Sequence, residues 1–282
     1  MSRNILSLLM LLLIVFTTQA QVKGEANYLV KYEVDFVLDS TDRDNVTHEI
    51  HRLYSGSSAS QYISEGKFVM DSVMNEMRNQ ARGNWRNMRS TMEAIPRSEF
   101  EPIVFKDFDN ASIWVQQSIM RDQYVYQEPN TPIEWEFTDE SKEIERYTAQ
   151  KATTSFGGRD YEAWFTLEVP IVDGPYVFSG LPGLILELYD TNKDYHFNVA
   201  SITPLKEVHK INSEAGSIKE IKKSEFIKSY KKYRENPAAS IARYMPRDFE
   251  YRDETGKRIT SKDIERQAKE RVAKRNNLIE IW

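Results

Sequence analysis

The eleven residues Tyr28-Leu-Val-Lys-Tyr-Glu-Val-Asp-Phe-Val-Leu38 decide the class of fold. Apolar Tyr28, Val30, Tyr32, Val34, Phe36 and Leu38 alternate with Lys31, Glu33 and Asp35. A period of two puts one row of side chains on a buried face and the other in water, so the stretch predicts a long, half-buried strand. Asp39-Ser-Thr-Asp42 reads as a turn, and shorter strands are expected at Glu49–Tyr54 and Ser58–Ser64. The pattern returns at Pro102–Lys106, Ser112–Gln117, Gln123–Glu128, Ile133–Phe137, Ile144–Thr154 and Tyr161–Leu167, and again at Leu184–Leu188 and Tyr195–Ile202. Glu134 and Glu136 are expected to face water. Strands that follow one another through tight turns, with no helices between them, imply an antiparallel meander.

Helices interrupt this order in three places. Between Asp71 and Met92, residues Met74, Met77, Ala81, Trp85, Met88 and Met92 recur at spacings of three and four, with Asp71 or Ser72 as N-cap. Beyond Pro204 the chain becomes polar and basic. There Ser224 is expected to cap a helix over Glu225–Glu235 that stops at Asn236-Pro237, and Thr260-x-x-Asp263 to open another through about Lys274.

Met1–Ala20 reads as a secretory signal peptide, with Arg3, an apolar run from Ile5 to Phe16, and small residues at Thr18 and Ala20. The run is shorter than the roughly 20 residues a membrane span needs. The chain has no cysteine and a formal charge of −5. Disulfides, thiol chemistry and cysteine metal sites are thereby excluded, and a mild acidic excess with interspersed Lys and Arg argues against nucleic acid as a partner. A secreted chain without disulfides fits a Gram-negative periplasm or a secreted envelope location.

The densest stretch is Gly174-Pro-Tyr-Val-Phe-Ser-Gly-Leu-Pro-Gly-Leu-Ile-Leu-Glu-Leu-Tyr-Asp190. Leu181-Pro-Gly-Leu184 is expected to form a type II turn, with Gly183 supplying positive φ, between two strand-like runs. With Trp164-Phe-Thr, Pro170, Gly174-Pro175, Phe178 and the intact Gly180-Leu-Pro-Gly-Leu-Ile185, the chain resembles the GLPGLI family of secreted Gram-negative proteins. Trp135, Lys151-Ala-Thr153 and the Phe156-x-Gly-Arg159 turn look like family positions too, so the match spans roughly Ile133 to Ile202. The family has no assigned activity. Many of its members carry a cysteine where this chain has Gln150, so no thiol role transfers.

Candidate chemistry is sparse. The hexapeptide contains no acid, base or nucleophile, so it is architectural or adhesive. His48-Glu-Ile-His51 lacks helical i,i+4 spacing, and in a strand its two histidines point to opposite faces. Arg159 and Asp160 read as solvated charges on a hairpin or as an anion clamp. Glu134, Glu136, Glu162 and Glu168 share strands, but no G-x-S-x-G elbow accompanies them. The basic C-terminus reads as a solvated helical face or a contact for an acidic surface.

The expectation is therefore a mainly β (β-rich α+β) protein. It would be a curved antiparallel meander or half-open barrel of about eight to eleven strands, with one inserted helix and C-terminal helices. Residues 21–215 form the β-rich domain and 216–282 a charged helical extension. The expected role is non-enzymatic binding of a hydrophobic small molecule or lipid in the concavity, with Leu181, Leu184, Met74, Met77, Trp85 and Met88 as ligand contacts and the 71–92 helix as a lid. No metal or cofactor is implied. The alternatives are an accessory protein to an outer-membrane system, or an envelope hydrolase.

Overall fold

The computed structural model describes residues 22–79, 94–129, 132–213, 218–242, 244, 251–252 and 258–282. Met1–Ala20, Trp85, Met88 and Met92 lie outside them. The main body is one sheet of twelve strands in the order β12-β6-β5-β4-β3-β2-β1-β11-β10-β9-β8-β7. Strands β1 (Lys23–Val37), β2 (Val46–Ser55), β3 (Ala59–Ser64), β4 (Ile103–Asp107), β5 (Ser112–Ile119) and β6 (Asp122–Gln127) form one antiparallel meander. Strands β7 (Glu136–Ile144), β8 (Tyr147–Phe156), β9 (Arg159–Thr166), β10 (Leu184–Asp190) and β11 (Tyr195–Asn212) form the other.

The two meanders join where β1 pairs antiparallel with β11, and the short β12 (Ile218–Glu220) adds in parallel to β6. The sheet is open, its edges being β12 and β7. Helices α1 (Glu65–Asn79), α2 (Lys223–Glu235), α3 (Pro237–Ala242) and α4 (Ser261–Ala273) flank it, and β13 (Tyr251–Arg252) pairs separately with β14 (Arg258–Ile259). None of the helices among the described residues is long and apolar enough to cross a membrane.

The alternation of the opening stretch does what a period of two requires. Val30, Tyr32, Val34 and Phe36 are buried on one face, in register with Leu53 on β2 and Phe197 on β11. That face is covered by the segment joining β9 to β10, by Phe100, by Phe226 of α2 and by Ile279 near the C-terminus. The opposite face has a smaller core of Tyr54, Ile63, Ile103, Phe105 and Ile211, against which Phe68 of α1 packs.

Five boundaries differ from the sequence reading. Helix α1 begins at Glu65 rather than Asp71, because Ser64 ends β3 and its Oγ accepts the Lys67 amide, starting the helix without a turn. Ile133 and Trp135 are not in a strand: Thr154 Oγ1 donates to the Glu134 carbonyl and Trp135 Nε1 to Ser179 O, so these bonds replace a ladder. Glu134 and Glu136 are exposed as expected. Glu145, at φ 53°, turns the chain between β7 and β8, where a single strand was expected. Strand β11 runs on past Pro204 to Asn212, the proline sitting at a register irregularity opposite Ala26/Tyr28, where no ladder donor is needed. The run before the hexapeptide is not a strand but part of a long connection. Thr260 and Asp263, by contrast, form the expected capping box of α4.

Candidate functional site

Lys106 continues the inward row of β4 after Val104, yet its side chain is 2% exposed. An ammonium has three donors, and here Asp173 Oδ1 (2.6 Å), Gly174 O (2.7 Å) and Phe178 O (2.9 Å) accept them. Burial pulls the Lys106 pKa below the ordinary lysine value and the Asp173 charge opposes the shift. Ser55 Oγ donates to the second oxygen of Asp173, and Tyr32 OH donates to Ile185 O. The Gly174–Gly180 stretch is thus held to the sheet by polar bonds inside an aromatic core of Tyr161, Tyr176 and Phe178.

The hexapeptide is built differently from the expected type II turn. Gly180, not Gly183, has positive φ, at 91°. Gly183 is required for space: a Cβ there would stand 2.0 Å from Thr166 O. Leu181 and Leu184 are 1% and 0% exposed and belong to the main core. Met74 and Met77 lie half-buried on α1, which packs on the other face of the sheet. The described part of α1 therefore does not close over the hexapeptide.

Arg159 is a buried clamp rather than a solvated charge. Gly157 and Gly158, at φ 57° and 78°, make the tight hairpin that presents it. Its guanidinium donates to Asp190 and Asp194 (3.0 Å each), Asn277 Oδ1 (2.6 Å) and Leu278 O (2.7 Å). Ile281 N donates to Gly157 O at 2.6 Å, so the C-terminal residues are fastened along the hairpin. Asp160 is exposed and accepts from Ser155 Oγ.

Between the β4–β5 hairpin and the ends of β8 and β9 lies a groove of about 1230 Å³. Ile113, Ile133, Trp135, Phe156 and Val177 line it, together with Pro129 and Pro132. Its polar cluster is Glu128, Lys223 and Glu280. Lys223 Nζ donates to Glu128 Oε2 (2.6 Å) and Glu280 Oε2 (2.5 Å), and Tyr176 OH donates to Glu280 Oε1 (2.6 Å). Among the described residues, Glu128 Oε1 is buried without a partner, as is the neighbouring Tyr126 hydroxyl. Burial, then the Glu280 charge, push the Glu128 pKa up to about 7, with Lys223 opposing. A second cavity of about 920 Å³ lies between Phe100, Tyr230, Tyr233 and the α4 end of the chain.

This geometry frames the comparisons with known proteins. Residues 156–187 match a family described as a protein of unknown function (Porph_ging). No curated protein matches the chain. Two solved structures of PNGF-II are similar. One, in space group P21, is 15% identical with a TM-score of 0.49 over 74% of this chain and 34% of that one; the other, in C2, is 16% identical with a TM-score of 0.46 over 74% and 32%. The chain thus spans about a third of the length of either structure.

The remaining sequence candidates separate in space. His48 is on the surface against Asp35, while His51 is buried between Tyr62 OH and Glu49, on the opposite face as a strand demands. Burial pulls the His51 pKa down. Glu162 pairs with Lys151 and accepts from Tyr189 OH, while Glu168 accepts the Thr148 amide. Gln150 is exposed on β8. No group of three metal-ligating side chains forms among the described residues. Sequence reasoning missed Lys106, Asp173, Glu128 and Glu280 and saw Lys223 only as part of the basic C-terminus, because the partners of each come from distant elements that no local pattern encodes.

Proposed function

We propose that this is a non-enzymatic binding protein of the Gram-negative envelope, belonging to the GLPGLI family, whose groove takes an apolar or amphiphilic ligand. The intact hexapeptide supports the family, and the Arg3-to-Ala20 leader pattern supports the address. One observation carries the binding role. Apolar walls at Ile113, Ile133, Trp135, Phe156 and Val177 meet a compact polar cluster at Glu128, Lys223 and Glu280. Small-molecule sites have this form, with mostly apolar surface and a few convergent polar groups.

Glu128 also supports a second reading, that of an acid–base hydrolase, since a carboxyl that titrates near neutrality beside another carboxylate is suited to proton transfer. Against it, Lys223 and Tyr176 engage three of the four carboxylate oxygens, and no histidine lines the groove among the described residues. Native mass spectrometry of protein purified without detergent, with displacement of a fluorescent lipid, tests the binding role. A co-purifying ligand mass or saturable displacement is expected. Failure of both removes the proposal.

A further inference from the structure

Charge in the groove is one-sided. Among the described residues, seven carboxylate side chains line it, against two lysines. Both lysines are already engaged, Lys106 by Asp173 and two carbonyls, Lys223 by Glu128 and Glu280. The Glu128 side chain is 7% exposed, lines the groove, and keeps Oε1 without a hydrogen-bond donor. A buried acceptor left unmatched costs about 1–3 kcal/mol, and a ligand that supplies the donor recovers that cost as affinity. A neutral donor would satisfy the oxygen. A cation would also offset the two carboxylates that share one lysine.

We propose that the groove selects amphiphiles with a primary ammonium head group, which binds Glu128 Oε1 beside Glu280 while the alkyl chain lies against Trp135, Phe156 and Ile133. This rests on the binding role proposed above and names the ligand class. An anionic head group would meet an excess of carboxylates and, among the described residues, no uncommitted lysine. Selectivity therefore comes from repulsion as well as attraction.

Isothermal titration of the full chain with octylammonium, octanol and octyl sulfate at about pH 8, where Glu128 is ionised and the amine still protonated, tests it. The wild type is expected to bind octylammonium at least about tenfold more tightly than octanol, and octyl sulfate most weakly. Glu128→Gln should abolish the preference for octylammonium over octanol. Equal affinity for all three overturns ammonium selection and leaves the groove as a binding site. Binding of none removes the binding role and this proposal with it. A preference that survives Glu128→Gln places the head group elsewhere and overturns the assignment. Should that variant fail to fold by circular dichroism, Lys223→Met decides: two carboxylates without their cation should tighten octylammonium binding, and unchanged or weaker binding contradicts the proposal.

Discussion

Lys106 and Asp173 meet at 2.6 Å with both side chains withdrawn from solvent, and this pair fastens the connection between β9 and β10 to the sheet. A buried pair is not stabilising simply by existing, since removing two charges from water is costly. Breaking it is another matter. Lys106→Met leaves the Asp173 charge and the Gly174 and Phe178 carbonyls unmatched, and is expected to cost about 3–5 kcal/mol in urea unfolding. The double variant Lys106→Met/Asp173→Leu leaves no buried charge and should lose less than the single one. Equal losses would show that the carbonyl bonds, not the ion pair, matter most.

Arg159 has a similar part at the β8–β9 hairpin. Its planar fork serves two aspartates and the Asn277–Leu278 backbone and side chain together, a geometry lysine cannot reproduce. Arg159→Lys should therefore release the residues after Asn276 before the sheet unfolds. Hydrogen exchange at the Ile281 amide, bonded to Gly157 O, reads this out: faster exchange with an unchanged sheet is expected.

The class of fold was legible because alternation on β1 is governed by one physical fact, that one face is buried and the other is wet. The long connection was not. Gly174–Gly180 is as apolar as a strand, but its carbonyls are taken by a lysine 68 residues away, and no local pattern encodes that. Gly183 shows the same limit. Its letter suggested positive φ, whereas the cause is the approach of Thr166 O, a contact between neighbouring strands. That α1 packs on the other face of the sheet from the hexapeptide was hidden for a related reason: an apolar stripe on a helix resembles a ligand surface as much as a packing surface, and the face of the sheet it covers is a tertiary property.

Gly183→Ala follows directly. A methyl group 2.0 Å from a strand carbonyl forces the β9–β10 pair apart, which should cost about 1–3 kcal/mol, the usual range for overpacking. Gly180→Ala meets no close atom but must hold φ 91°, so it should also destabilise, through strain rather than collision. Thermal unfolding of the two variants checks both.

Glu128 and Glu187 predict opposite responses to pH. Glu128, raised to about 7, keeps its proton in the folded chain where the unfolded carboxyl has lost it. The folded state binds more protons between about 4.5 and 7, so this contribution is complete below that window and is lost as pH rises through it, on the order of 3 kcal/mol. Glu187, lowered to about 2 by His196 and then Lys142, contributes above pH 4.5 and loses that contribution as pH falls toward 2. Urea midpoints of the wild type and of Glu128→Gln at pH 5 and pH 8 separate the first effect. The wild type should lose more stability than the variant on going to pH 8.

The proposed ligand site is the groove beside Trp135 rather than α1 or the hexapeptide. Photolabelling with a diazirine-bearing alkylamine, followed by peptide mapping, tests it most directly. Adducts are expected on peptides containing Ile133–Trp135, Phe156 or Val177, and octylammonium should compete them away. Adducts confined to the peptide carrying Met74 and Met77, or none that octylammonium displaces, would contradict it.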